Sequence, residues 1–394
     1  MTKRAVIFGG GNIGRGFIGQ LFCESGYEVV FVDVDEELMA ALNRDLKYRL
    51  EAVSNAGVES FEIGPVRAVS SSDVGAVATA VAEAEIGATA VGANALKFIV
   101  PNLAVGLARR AAAGAAPINF IICENLHGAA AHVRDLVTAV TPPEALSYVQ
   151  EKTGFVDTVI GRMVPVPTPE MRARDVSLVR VEPYKELPVD RTGFVGPIPT
   201  ISAMTAYDDF GVFTARKLYI HNCGHALMAY VGYLHGYELG YEAVADLAVR
   251  GFMLAGLQES VKGISAAFNA DPAWLNAHVD DLLGRFANRM LGDTIFRLGR
   301  DPVRKLAAED RLTGAANLVC QCGEKPVHLA WGMAAALLFA PAGDPSAEKL
   351  QAAIKEKGPE QALFEVSGVA PGSVLGQLVM DAYGKLCQNP KALP

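Results

Sequence analysis

The sequence predicts an α/β N-terminal domain built on a parallel sheet, followed by a mostly α-helical C-terminal domain. Three observations predict it. Short, continuously apolar runs alternate with helical patterns through the first half of the chain. A glycine-rich turn joins the first of those runs to a helix. Beyond about residue 205, apolar residues recur at three and four with no comparable strand run. At 394 residues the chain is longer than one ordinary domain. The proline- and glycine-rich stretch from Pro183 to Thr200 places the boundary, giving domains at 1–198 and 199–394.

Composition narrows the function classes. The chain is 51% hydrophobic and 20% charged, which is globular and far from disorder. A net charge of −8 argues against a nucleic-acid or anionic-membrane surface, while leaving room for an anionic small substrate held by local positive charge. Six scattered cysteines read as reduced cytosolic thiols, and the lone Cys320-x-Cys322 is too little for a structural zinc site. The apolar run Leu329 to Pro341 is too short to span a bilayer. The short run after Lys3-Arg4 ends at once in glycines and is no signal peptide. A cytoplasmic protein with no nucleic-acid, membrane or obligate protein partner is expected.

Ala5 to Phe8 is the first strand, and it runs into Gly9, Gly10, Gly11, Asn12, Ile13 and Gly14. This fits G-x-G-x-x-G, with a helix following through Phe17 to Ser25 and a second strand, Glu28 to Val32, ending on Asp33. Each glycine has a physical task. The first permits the tight turn, the second lets a pyrophosphate approach the backbone, and the third lets helix and strand pack closely. The helix N-terminus supplies free N–H groups for that pyrophosphate. Asp33, 22 residues beyond Gly11, stands where an acid binds ribose hydroxyls and repels an extra phosphate, so NAD is the expected cofactor of a Rossmann-type domain.

Ala88 to Val91 and Ile118 to Cys123 read as further buried strands. They end in Gly92-Ala-Asn94 and Glu124-Asn125, beyond the carboxyl ends of strands, where open α/β sheets bind ligands. Those residues, Asn94 and Glu124 included, are therefore candidates for nicotinamide and substrate contacts, with Gly92 and Asn125 assigned to the cofactor and Asn125 to substrate as well. Asn125 reads equally well as a helix N-cap, and Ser70-Ser-Ser-Asp73 reads better as a cap than as a site. Lys152 to Val159 and Val176 to Val181 complete the predicted strands.

In the C-terminal half, helical periodicity covers Gly211 to Leu234, Ala243 to Phe268, Pro272 to Phe286, Pro326 to Phe339 and Gly372 to Leu386. The simplest architecture places the active site between the two domains. On a helix at about 100° per residue, Lys217, His221, Asn222 and His225 share one face. A lysine with a buried stem can serve as a general base. Beside a nicotinamide it could take the hydroxyl proton of an alcohol as hydride leaves carbon, with Asn222 and His225 holding the oxygen that becomes a carbonyl. Spacing alone equally allows a snorkelling lysine, a satisfied core histidine and a capping asparagine. The i, i+4 pair His221/His225 lacks the Glu and third ligand of a helical zinc site, so no metal is expected. A second cluster, Arg297 to Lys305, puts four cations around a Gly and a Pro. It reads as a phosphate pocket or as a solvated helix start capped by Asp301.

These blocks together resemble the polyol-specific long-chain dehydrogenase/reductase family. Phe8 to Phe17, Cys123-Glu-Asn125, Gly154-Phe-Val-Asp157, Arg162-Met-Val-Pro165, Arg216 to His225 and Gly299 to Leu306 carry the resemblance in register across nearly the whole chain. The family signature of a Lys, four residues, an Asn, two residues and a His falls on Lys217, Asn222 and His225. The resemblance implies that Lys217 is the acid/base, that Asn222 and His225 polarise the substrate oxygen, and that no metal takes part. It leaves His221 without a role. It implies NAD-dependent oxidation of mannitol 1-phosphate to fructose 6-phosphate, with Arg300, Arg304 and Lys305 meeting the phosphate. The alternative is an unphosphorylated polyol 2-dehydrogenase or hexuronate reductase of the same family. Two departures bear on substrate choice. The family's Val-Asp-Arg reads here as Ile160-Gly161-Arg162, and its tryptophan-containing segment reads as Glu182-Pro-Tyr-Lys-Glu-Leu187.

Overall fold

The computed structural model describes residues 3–126 and 128–394, which divide into two compact units, Met1–Phe210 and Gly211–Pro394. In the first unit, six strands form one parallel sheet: β1 (Lys3–Phe8), β2 (Tyr27–Asp33), β5 (Val66–Ser70), β6 (Ile86–Thr89), β7 (Ile118–Ile122) and β8 (Thr153–Asp157). Their order is β5-β2-β1-β6-β7-β8, so the chain reverses direction across the sheet at β1 and β6. That reversal opens a crevice at the strands' carboxyl ends, just where the glycine-rich turn lies.

Both faces of this sheet are buried, which is why its strands read as unbroken apolar runs. Val6 and Phe8 point into a core shared with helices Val74–Glu83 and Leu96–Ala112. Ala5 and Ile7 point the other way, into a second core. A three-stranded sheet closes that core, with β3 (Tyr48–Ser54) between β4 (Gly57–Ile63), antiparallel, and β9 (Val179–Val181), parallel. Neither β3, β4 nor β5 is anticipated from the sequence. The pairing of Leu50 with Val179 joins segments too far apart in sequence for any local pattern to announce. A parallel pair, β10 (Leu187–Asp190) and β11 (Met204–Tyr207), carries the first unit past the proline-rich stretch.

The second unit is helical. Among its described residues the sole β-pairing is an isolated bridge between Leu239 and Thr294. Helix Leu247–Phe268 lies beside Cys223–His235, Thr313–Gln321 and Val327–Leu337. Among the described residues no helix is long and apolar enough to cross a membrane.

Candidate active site

The glycine-rich turn is shaped by close approaches. Gly9 has φ +99°, and a Cβ there would lie 2.5 Å from the Ala90 carbonyl oxygen. A Cβ on Gly14 would lie 1.8 Å from the Gly9 carbonyl oxygen, so that position admits only glycine. Around Gly11 nothing lies within 4 Å of the same probe. The first and third glycines are thus demanded by packing, and the second faces open space of the kind a pyrophosphate needs. Asn12 and Ile13 open the following helix, which leaves its first amides without intrahelical partners. The helix is wound as a π-helix over Gly14–Gly19 before becoming α at Gln20–Glu24.

Asp33 ends β2 with its carboxylate fixed in place. Oδ2 accepts from the Gly10 amide at 2.5 Å, and Oδ1 accepts from the amides of Val34 and Asp35 at 2.7 and 3.0 Å. Oriented this way, the carboxylate fits the role of a ribose-hydroxyl acceptor. Gly92 is exposed, with φ +85° and open space around it. Asn125 is also exposed, and it caps no helix, because helix Ala129–Val140 begins later with Gly128 as its N-cap. Asp73, by contrast, does cap its helix, accepting from the Ala76 amide at 2.9 Å.

Three charged residues hold this half together; of these the sequence singles out only Glu124, as a candidate ligand contact at a strand end, and the structure turns it inward. Glu124 is buried, with Oε2 accepting from Thr89 Oγ1 at 2.5 Å and Oε1 from the Val91 amide at 3.0 Å. It ties the ends of β6 and β7 and so sets the backbone leading to Gly92; burial pushes its carboxyl above the usual range. Arg15 is buried beneath the turn, donating from Nε to the Gly10 carbonyl at 2.6 Å and from Nη1 to the Ser177 carbonyl at 2.6 Å. Arg162 donates to the carbonyls of Glu182 and Gly16 at 2.9 and 3.0 Å and to Gln20 Oε1 at 2.6 Å. Burial pulls its guanidinium down to about 10. The signal for each was a lone charge inside an apolar or glycine-rich block. Gly161 precedes Arg162, and a Cβ there would sit 3.0 Å from Tyr184 Cε1. The two departures from the family pattern therefore meet at one contact.

The second unit carries the Lys, Asn and His, and here the α-helical expectation is corrected. Gly211–Arg216 and Cys223–His235 are α, but Lys217–Asn222 is a π-helix. Its i→i+5 ladder widens the turn, which brings Asn222 closer to Lys217's side of the helix than an α-helix would. His225 follows three residues on, in the α portion, and faces the same way as Asn222. His225 packs against Phe286, ring centroids 4.2 Å apart, and its Nε2 is buried without a hydrogen-bond partner. His221 is fully buried, 5.0 Å from the His225 ring and 6.5 Å from His278. Among the described residues no group of three His, Cys, Asp or Glu side chains is arranged to hold a metal ion.

Burial is the main force keeping His225 neutral, followed by the charges of Lys217, Arg297, Arg311 and Arg285. His221 is depressed in the same way, and His278 is brought down to about 3. All three bind protons less readily folded than unfolded below about pH 6.5, so unfolding takes up protons there and stability falls as pH drops. Urea midpoints between pH 8 and 4 should decline below about pH 6.5, and a His278→Phe variant should decline less steeply. An identical slope in the variant would exclude His278 from the effect.

The cluster at 297–305 divides. Arg300 is exposed. Arg304 is exposed but paired with Asp301 at 2.8 Å and Asp310 at 3.5 Å. Lys305 is buried, its Nζ donating to the carbonyls of Leu298 and Arg300 at 2.6 and 2.5 Å, and burial draws it down to about 7. It is turned inward to hold the end of helix Ile295–Gly299 and is not presented beside the two arginines. Asp301 caps helix Pro302–Lys305, as the plainer reading of this segment expected. Lys217, Arg297, Arg311 and Arg285 are the cations that most depress His225.

Comparison with known proteins gives a consistent assignment. The profile described as the mannitol dehydrogenase Rossmann domain matches residues 3–203, and that of the mannitol dehydrogenase C-terminal domain matches residues 209–387. The chain is 38% identical over 377 residues to a protein of Bacillus licheniformis named mannitol-1-phosphate 5-dehydrogenase, covering 95% of this chain and 98% of that one. A Brevibacillus brevis protein of the same name is 37% identical over 382 residues, covering 97% and 98%. In fold, the chain is similar to a substrate-free D-sorbitol dehydrogenase (TM-score 0.80, 17% identity, 98% and 93% covered). It is also similar to a Pseudomonas fluorescens mannitol 2-dehydrogenase in complex with NAD and D-mannitol (TM-score 0.72, 17% identity, 99% and 93% covered).

Proposed function

The chain belongs to the mannitol dehydrogenase family through both of its units, and on that premise we propose that it catalyses reversible, NAD-dependent oxidation of mannitol 1-phosphate to fructose 6-phosphate. The observation that carries the chemistry is the turn from Lys217 to His225. A lysine and an asparagine stand one π-turn apart, followed by a neutral imidazole with an unpartnered buried nitrogen. NAD, when bound, accepts the hydride from the carbinol carbon. The amine of Lys217 takes the hydroxyl proton, and in the reverse direction returns it to the ketose oxygen. The Asn222 amide donates to that oxygen as it gains or loses charge, and His225 Nε2 does the same in the tautomer that carries its proton there. A histidine held neutral donates without competing for the substrate proton.

The dinucleotide falls to the first unit. The open space at Gly11, the fixed carboxylate of Asp33 and the exposed Gly92 and Asn125 support that role. For the phosphate, Arg300 and Arg304 are the exposed cations of their cluster, and Arg297 adds a charge felt at His225. Lys305 serves in this scheme by holding the backbone of Arg300. Six unpaired cysteines support a reducing, cytoplasmic setting.

The test is NADH consumption with fructose 6-phosphate, fructose, tagaturonate and fructuronate side by side. The phosphate ester should turn over fastest, and Arg300→Ala should raise its KM while leaving that for fructose nearly unchanged. Faster turnover of fructose or a hexuronate would move the assignment to an unphosphorylated polyol 2-dehydrogenase or a hexuronate reductase.

A further inference from the structure

The segment 165–177 is tied to the glycine-rich turn at both ends. Asn12 Nδ2 donates to the Pro165 carbonyl at 3.5 Å, and Arg15 Nη1 donates to the carbonyls of Val176 and Ser177 at 3.2 and 2.6 Å. Between those ties, the short helix Pro169–Arg174 carries Arg172 to the carboxyl end of β2. There its Nη2 meets Asp35 Oδ2 at 2.9 Å, with Glu37 at 3.9 Å. Asp35 lies two residues beyond Asp33, at the N-cap of helix Glu36–Asp45. Asp33, Asp35 and Arg172 all act electrostatically on Arg15, so they share one neighbourhood.

An acid at the end of the second strand selects for the free ribose hydroxyls of NAD, whereas an arginine at that place accommodates the 2′-phosphate of NADP. This site holds both. Asp33 has both oxygens fixed by backbone amides. Arg172 is 43% exposed and meets Asp35 and Glu37 through Nη2 alone, so Nε and Nη1 have no partner among the described residues. The side chain of Val34, between the two acids, is 77% exposed and offers an apolar surface at the same strand end.

We propose that Arg172 is a cofactor-binding residue, held by Asp35 opposite Asp33, where it faces the adenosine ribose and softens the site's rejection of a 2′-phosphate. The proposal rests on the dinucleotide reading above. An exposed ion pair adds little to stability, so variants at Arg172 should fold.

The test is fluorescence titration of NADH and NADPH, without substrate, on the full chain and on Arg172→Ala, Asp35→Asn, Asp33→Ser and the double variant Asp33→Ser/Arg172→Ala. Arg172→Ala should weaken NADH about tenfold, the scale of one charge-assisted hydrogen bond, and weaken NADPH further. Asp33→Ser should bring NADPH close to NADH, and adding Arg172→Ala should abolish that gain. Asp35→Asn loosens the segment but keeps the guanidinium, so the NADPH/NADH ratio should stay near that of the parent. Unchanged affinities in Arg172→Ala would overturn the proposal. So would equal weakening of both nucleotides, matched by Asp35→Asn, which would reduce Arg172 to a tie for the segment. If the unaltered chain bound no NADH, the dinucleotide reading itself would fall, and this proposal with it.

Discussion

Replacing Lys217 with alanine is expected to lower kcat by about 10²–10⁴-fold, the range that a positioned acid/base contributes, while the NADH dissociation constant stays within twofold of the parent's. The split follows from where the residue lies. Lys217 belongs to the helical unit, on the π-turn with Asn222, and the glycine turn and Asp33 belong to the other. Loss of the amine leaves the alcohol without a proton acceptor but leaves the dinucleotide contacts intact. Its effect on kcat and kcat/KM should be similar, because the proton moves only in the transition state. A matched His221→Phe variant is the control for the helix, since His221 is buried and packed against His225 without being required to touch substrate. Stopped-flow turnover with fructose 6-phosphate and a separate NADH titration read both quantities. Turnover of Lys217→Ala within tenfold of the parent would remove the lysine from the chemistry.

The second large effect separates two glycines three residues apart. Gly14→Ala should destabilise the first unit by about 3 kcal/mol or more, because overpacking costs rise steeply when backbone must move. Its Cβ would lie 1.8 Å from the Gly9 carbonyl oxygen, and no side-chain rotation can relieve that contact. Gly11→Ala should leave the urea midpoint nearly unchanged, since nothing lies within 4 Å of its Cβ, yet weaken NADH by more than about tenfold as the methyl fills the pyrophosphate's approach. Urea unfolding and NADH titration of both variants suffice. A stable Gly14→Ala, or a Gly11→Ala that binds NADH normally, would break the division of labour between the glycines.

How legible the site was in the sequence depends on how local its cause is. The residue types at 217, 222 and 225 are readable as a spacing, but the apolar periodicity around them predicts an α-helix throughout. The π-turn escapes a periodicity count, because a single wide turn between two α-helical stretches barely disturbs the apolar pattern. The cluster at 297–305 was readable as charge, and its division was not. Lys305 turns inward to the carbonyls of Leu298 and Arg300, and Arg304 is taken up by two aspartates. Arg297, in the same stretch, proves to be one of the charges felt at His225. Arg172 is not legible in the sequence at all, because its partner, Asp35, is more than a hundred residues away.

By itself, the sequence determined the glycine turn, Asp33, the Lys/Asn/His spacing and the succession of a parallel-sheet domain by a helical one. Those features arise from backbone sterics and from burial patterns that repeat within a few residues. Only the tertiary structure decided the small sheet β4-β3-β9, the burial of Arg15, Glu124 and Arg162, and which cations turn outward. Each of these depends on a partner distant in the chain. A buried charge persists only where such partners satisfy it, and sequence neighbours carry no record of them.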